Sequence, residues 1–197
     1  AFERYEPMAS TLQYPSTVNG VPMGMKAMLR SEALSLTGKY DVSNSGFGVV
    51  AGVRQLTIKS SKLLLDPAQG ELVTTADSGF GYMAGVSYER PSIALKVLLT
   101  QAPGIDIDVP TTVVGSGTIS QPSFTTLEFE TGIAANTLLY GSMHQGEHGS
   151  AQVKLKGQGA ISSFTDGEVY NIGVGRKFSD SLSASLSYTT EDGSSPT

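Results

Sequence analysis

Gly79-Phe80-Gly81-Tyr82-Met83-Ala84-Gly85-Val86-Ser87-Tyr88-Glu89 is the stretch that decides how this 197-residue chain is read. Phe80, Tyr82, Ala84, Val86 and Tyr88 fall on one parity, and Gly81, Met83, Gly85 and Ser87 on the other. Apolar residues at every second position put one face of an extended strand in an apolar medium, whereas a helical period would scatter them. Working outward, the same period continues. Ile93, Leu95, Val97 and Leu99 oppose Ser92, Ala94, Lys96 and Leu98, while Leu127, Phe129, Thr131 and Ile133 oppose Thr126, Glu128, Glu130 and Gly132. Tyr170, Ile172 and Val174 oppose Asn171, Gly173 and Gly175, and Leu182, Ala184, Leu186 and Tyr188 oppose Ser183, Ser185, Ser187 and Thr189. Leu34, Leu36 and Tyr40 oppose Ser35, Thr37 and Lys39. More weakly, Phe47, Val49, Ala51 and Val53 oppose Gly48, Val50, Gly52 and Arg54. The segment from Leu138 to Gln145 keeps no clean phase, and its facing stays open.

Turn chemistry separates these runs. Compact breakers lie at Val42-Ser43-Asn44-Ser45-Gly46, Glu89-Arg90-Pro91-Ser92, Ala134-Ala135-Asn136-Thr137 and Phe178-Ser179-Asp180-Ser181, centred 44 to 47 residues apart. They are rich in residues that preset φ or tolerate the left-handed region. Longer polar connections cover Ser60–Asp77, Gln101–Ser120 and Gly146–Thr165. Eight strands in four hairpins follow, with tight turns at one end and long loops at the other. The expected fold class is all-β and antiparallel. A propeller would need four short strands per repeat, and each repeat here holds two long ones.

Composition removes several functions. Lys and Arg number 13 against 18 Asp and Glu, for a net charge of −5, and there is no basic cluster to follow a nucleic-acid backbone. With no Cys, disulfide scaffolds, Cys-based zinc sites and thiol chemistry are excluded. No run of 18 apolar residues could cross a membrane as a helix.

Alternation leaves open which face meets water, so a soluble sandwich or lipocalin-like barrel and a membrane barrel both fit. Three features tilt the reading toward the membrane. The less apolar face is mostly Gly, Ser and Thr with a few charges, Lys96, Glu128, Glu130 and Arg54 among them, and a soluble domain decorates its outside more heavily. Phe47, Phe80, Tyr88, Phe178 and Tyr188 stand near strand ends, where interfacial aromatic girdles sit. Short turns opposite long loops match transmembrane barrels. On this reading Arg54, Lys96, Glu128 and Glu130 line the lumen.

Candidate chemistry is sparse. His144-Gln145-Gly146-Glu147-His148 spells H-x-x-E-H, but that zinc motif needs a helix. Extended, positions four apart lie about 13 Å from each other, too far for one metal. Glu128 and Glu130 sit about 7 Å apart on one face. That spacing suits a charged wall more than a glycosidase pair. Asp106-Ile107-Asp108 offers two carboxylates to a cation and no further ligand. No nucleophile–base pair is visible, and no enzyme, cofactor or metal is expected.

Two blocks carry a family likeness. One is Gly79 through Glu89 followed by Ile93-Ala94-Leu95-Lys96-Val97, and the other is Leu127-Glu128-Phe129-Glu130-Thr131-Gly132-Ile133-Ala134 running into Leu138-Leu139-Tyr140-Gly141-Ser142. Tyr170-Asn171-Ile172-Gly173-Val174-Gly175 with Arg176-Lys177-Phe178 extends it. In the order and spacing of these strand pairs, the chain resembles the FadL-type outer-membrane transporters of long-chain fatty acids and other hydrophobic molecules. The resemblance implies a 14-stranded antiparallel transmembrane β-barrel in a Gram-negative outer membrane, with a hatch plugging the lumen and a lateral opening into the bilayer. This chain would supply about eight of those strands. Residues 1–30 are expected as an N-terminal extracellular loop region, 31–192 as the barrel hairpins, and 193–197 as the start of a further loop. The implied function is passive uptake of long-chain fatty acids or other hydrophobic small molecules, in contact with outer-membrane lipid and lipopolysaccharide. A surface receptor, for example for phage, and a soluble lipid-binding β-barrel are the alternatives.

Overall fold

The computed structural model describes residues 1–6, 9–13, 17–18, 21–22, 26–59, 62–66, 70–111, 115–157, 159–160 and 164–193. The expected further loop beyond 193 lies outside the described residues. Twelve strands carry the account below: β1 (Phe2–Tyr5), β2 (Lys26–Asp41), β3 (Phe47–Ile58), β4 (Asp77–Arg90), β5 (Leu95–Ala102), β6 (Ile105–Thr111), β7 (Gly115–Gln121), β8 (Phe124–Ala134), β9 (Thr137–Gly146), β10 (Val153–Leu155), β11 (Gly167–Lys177) and β12 (Ser183–Asp192).

The eight long strands form one antiparallel meander in the order β12-β11-β9-β8-β5-β4-β3-β2, and β1 pairs with β2 beyond it. Each expected hairpin is present. Two of their turns place αL-tolerant residues at positive φ, Asn44 at 54° and Asn136 at 57°, and the second turn puts Ala94 there at 48°. The second turn is longer than its sequence signal. Pro91 has no N–H to give the ladder, so Pro91–Ile93 coils into one 3-10 turn closed by the Ala94 N–H to the Pro91 carbonyl at 3.1 Å. Ser92, Ile93 and Ala94 therefore belong to the turn, and β5 starts at Leu95.

Register assigns every side chain to a face, because residues directly opposite in an antiparallel pair point the same way. One outward row runs Tyr40, Val49, Val86, Leu99, Leu127, Met143 and Tyr170 across seven strands. The neighbouring row carries Phe47, Tyr88, Val97, Phe129, Gly141, Ile172 and Tyr188. The phase of β9, open in the sequence, is settled by these pairings: Leu139, Gly141 and Met143 face out, and Tyr140, Ser142 and His144 face in.

The outward face is not covered by protein. Phe80 is 76% exposed, Leu186 75% and Ile172 52%. Among the described residues 23 large hydrophobic side chains are exposed and nine hydrophobic residues are buried, a ratio that water does not tolerate and lipid requires. Phe80, Leu95, Phe129 and Ile172 share this outer face and do not meet in a common core.

The dry core lies elsewhere. Ala33, Leu56 and Ile58 on the inner face of β2 and β3 pack against Ile105, Ile107, Val109 and Ile119 of β6 and β7. This corrects the sequence expectation for Gln101–Ser120, which is not an unstructured loop. It contains the β6–β7 hairpin, in which Ile105, Ile107 and Val109 are buried and alternate with exposed Asp106, Asp108 and Pro110. With β10 and the short strand Gly159–Ala160 it forms a separate four-stranded sheet against the inner wall. Gly79 and Gly81 permit the contact. A Cβ on Gly79 would lie 2.8 Å from Ile105 Cγ2, and one on Gly81 2.6 Å from Ile105 Cδ1. The approach of these glycines is thus to a loop-end sheet. The Ser60–Asp77 connection also holds strand structure, at Lys62–Asp66 and Gly70–Val73.

Above the Phe80 row the outward face turns polar, with Glu32, Thr57 and Ser78 in register. Glu32 accepts from Arg4 Nη2 at 2.8 Å and pairs with Lys59 Nζ at 2.8 Å, tying β1 to the wall. The hydrogen bonds from Arg4 and then Lys59 hold the Glu32 carboxyl at about 2, below its ordinary 4.5. A carboxyl pKa lowered by folding stabilises above its unfolded value and loses that effect as pH falls through the folded one. Attachment of β1 should therefore be constant above about pH 4.5 and weaken from there toward 2. Carbon-detected titration of Glu32 checks this, and in Arg4→Ala the midpoint should rise toward 4.5; an unmoved midpoint would refute the triad's role.

Ala84 lies midway along the outward face of β4, four residues from Phe80 and four from Tyr88. Ala84→Arg should cost about 2–4 kcal/mol of folding stability in bilayers, whereas the same change at a water-facing site stays within about 0.5 kcal/mol. Denaturant unfolding in vesicles separates the two, and the smaller value would show this face to be wet.

Candidate functional site

All four residues singled out from the sequence lie on the inner face. Arg54 is in register with Ser35 and Gly81, Lys96 with Glu89 and Glu130, and Glu128 with Leu98 and Ser142. They are not one cluster. Arg54 sits near the long-loop end, and the other three stand near the tight turns.

Arg54 is 7% exposed. Its Nη2 donates to the Pro103 carbonyl at 2.6 Å, and its Nε has no partner. Ile105 covers it from the loop side, where Gly81 opens the space. A buried guanidinium held by a single carbonyl is costly, and here it fastens the β5–β6 corner to the wall.

The lower group is a belt of charges crossing five strands. Lys39 Nζ bonds Asp41 Oδ1 at 2.8 Å and also the carboxylate of Glu89. Lys96 Nζ bonds Glu130 Oε1 at 2.6 Å. Glu128 makes no ion pair among the described residues. Lys39, on β2, reaches Glu89 on β4 by passing over β3, and Gly48 is what lets it cross. A Cβ there would stand 2.9 Å from both Lys39 Cε and Asp41 Oδ1, and 2.6 Å from Ser87 Oγ. Nothing in the alternation of β3 singles out Gly48 for this role. The Lys39–Glu89 pair was missed in the sequence for the same reason: it spans 50 residues and an intervening strand.

Around the belt is a recess of about 520 Å³, whose lining includes Val50, Ser87, Leu98, Tyr140 and Asn171 besides the charges. That volume suits a small organic molecule. The Tyr140 ring lies across Gly173, where a Cβ would meet the phenol oxygen at 2.6 Å. Ser87 is 7% exposed and its hydroxyl has no hydrogen-bond partner.

The remaining motifs do not assemble. His144 faces in from β9 and bonds Thr126 Oγ1 at 2.8 Å, stacked on Phe124 with ring centroids 5.0 Å apart. His148 lies in a short 3-10 turn, with its Nδ1 3.0 Å from the Gly146 carbonyl oxygen. Asp106 and Asp108 stand on the exposed side of β6, the latter accepting from Thr118 Oγ1 at 2.7 Å. Among the described residues no three His, Asp or Glu side chains converge on a metal position.

No family model matches the sequence. No curated protein matches it either. Solved structures do. A crystal structure of a Pseudomonas aeruginosa FadL homologue superposes with a TM-score of 0.71 over 98% of this chain at 11% identity. The fold is that of a FadL-type barrel wall. The CymD monoaromatic hydrocarbon channel matches over 95% of the chain at a TM-score of 0.62 and 12% identity. A deltaS2S3 mutant of the TodX monoaromatic hydrocarbon channel matches over 98% at 0.66 and 13%. The chain spans 56% to 64% of the length of these proteins. The FadL-type likeness read from the strand pairs in the sequence therefore holds at the level of the fold, which is all-β, antiparallel and of transmembrane-barrel type.

The belt stands in solvent on the inner face, with the Lys96 side chain 61% and the Glu130 side chain 37% exposed. Exposed pairs add little to stability. A double-mutant cycle with Lys96→Met and Glu130→Gln in bilayer unfolding should show coupling indistinguishable from zero. A large coupling would make the belt a structural clamp.

Proposed function

We propose that this chain forms the wall of a Gram-negative outer-membrane channel for passive uptake of long-chain fatty acids or other hydrophobic small molecules. One observation carries the reading. A continuous, uncovered apolar outer face backs an inner face that holds a recess lined by small, polar and charged residues. The first suits contact with outer-membrane lipid and the acyl chains of lipopolysaccharide, and the second a path for solutes. The hydrophobic-compound channels of the same fold support it.

Transport needs no covalent step. A ligand entering from the long-loop end meets the apolar core between β3 and the β6–β7 hairpin, then descends the inner wall past Gly52, Met83 and Gly85 to the recess. Lys96, Glu128 and Glu130 line this route in the proposal, and Arg54 lies on the same inner face beneath the β5–β6 corner. A soluble lipid-binding barrel would need the faces reversed, with Phe80 and Leu186 inside. That is the opposite of their exposure.

Uptake of labelled oleate by vesicles or cells with and without the protein is the direct test. A faster rate with the protein is expected for oleate or for a labelled hydrocarbon, and rates that the protein leaves unchanged for both would remove the transport reading.

A further inference from the structure

The recess near the tight turns has a charge pattern that discriminates between hydrophobic ligands. Its two cations are already occupied: Lys39 by Asp41 and Glu89, Lys96 by Glu130. Glu128 adds a carboxylate with no cation. Two lysines against four carboxylates leave the belt at a net −2. The other inner-face cations are out of reach. Lys177 is held by Asp180 at 2.7 Å in the last turn. Arg54 is six residues up β3 from Gly48, about 20 Å along the strand, and is shut beneath Pro103. A carboxylate in the recess would thus find, among the described lining residues, no lysine without an ion pair and one unopposed negative group. The uncharged parts of the recess point the other way. Val50, Leu98 and Tyr140 give it apolar walls, and the Ser87 hydroxyl, over nine-tenths buried, faces it without a partner.

We infer that this belt is a selectivity filter against anions, and that the recess takes an uncharged hydrophobic molecule, hydrocarbon or weakly polar, with Ser87, Ser142 and Asn171 as neutral polar groups in its lining. The inference rests on the channel reading above and narrows its substrate class: hydrocarbons and their alcohols pass, and ionised fatty or aromatic acids are disfavoured. The size of the effect follows from Coulomb's law. A single charge about 8 Å from a ligand carboxylate changes its occupancy about twofold at the dielectric of water, so a net of −2 gives about fivefold. A lumen walled by lipid raises the figure.

The test uses cells expressing the whole protein and lacking other channels for these solutes, with radiolabelled naphthalene and 2-naphthoate as probes of one skeleton and two charges. The protein should speed naphthalene entry and leave naphthoate near background, a preference of about fivefold or more. In the triple variant Glu89→Gln, Glu128→Gln, Glu130→Gln, which strips the belt to its lysines and Asp41, the naphthoate-to-naphthalene ratio should rise at least as much. Glu128→Gln alone removes a carboxylate that holds no partner. It should move the ratio about twofold in the same direction, and it serves if the triple variant fails to assemble. Equal entry of both probes through the native protein, or a ratio unmoved by Glu128→Gln, overturns the filter while leaving the channel standing. Entry of neither probe overturns the channel, and the filter with it.

Discussion

A hydrocarbon medium offers a peptide group no hydrogen-bond partner, so every N–H and C=O in a spanning segment must be bonded within the sheet. The rest of this molecule depends on that constraint. It forces long, regularly paired strands, and regular pairing locks register. Register in turn assigns each residue permanently to the lipid side or the inner side. The rows from Tyr40 to Tyr170 and from Phe47 to Tyr188 are its visible result. β12 shows the same constraint from its other side. All ten of its residues are exposed, and among the described residues one of its edges is unpaired, leaving N–H and C=O groups that hydrocarbon cannot satisfy.

The inner face, free of that demand for apolarity, is divided along its length. Near the long loops it carries Ala33, Leu56 and Ile58 and receives the β6–β7 hairpin as a packed lining. Near the tight turns it carries the Lys39–Glu89 and Lys96–Glu130 pairs and an open recess. Glycine makes both halves possible by opposite means. Gly79 and Gly81 let a second sheet settle onto the wall, while Gly48 lets a lysine side chain pass over an intervening strand. Losing a side chain from a strand weakens it, and in each case the space gained is occupied by a specific neighbour.

Much of the wall was legible in the sequence because its signals are local. Alternation in Phe80–Tyr88 and Tyr170–Val174, and Asn at the αL positions of two turns, are read within a dozen residues. The phase of β9 was not, since Leu138-Leu139-Tyr140-Gly141 puts apolar groups on both faces and only pairing with β8 and β11 decides between them. The β6–β7 hairpin did leave a local signal, Ile105-Asp106-Ile107-Asp108-Val109, which the surrounding polar composition masked. Arg54, Lys96, Glu128 and Glu130 could be given a face from parity alone, but not a partner. That Lys96 meets Glu130 and that Lys39 spans to Glu89 depends on register and on an absent Cβ, neither of which one strand's sequence encodes.

The placement of charge follows from the same logic. A carboxylate on the outward rows between Phe80 and Tyr88 would sit in hydrocarbon at a cost of several kcal/mol, so ionised groups that reach mid-wall must face inward. Once inward they are hydrated and add little to stability, which frees their number and sign from the demands of folding. An inner belt with two lysines fully matched and Glu128 left over is then a pattern the fold tolerates without requiring it. In the channel proposed above, where folding is indifferent to this charge, its physical effect would fall on what passes, through a field that acts on ions and leaves hydrocarbons alone.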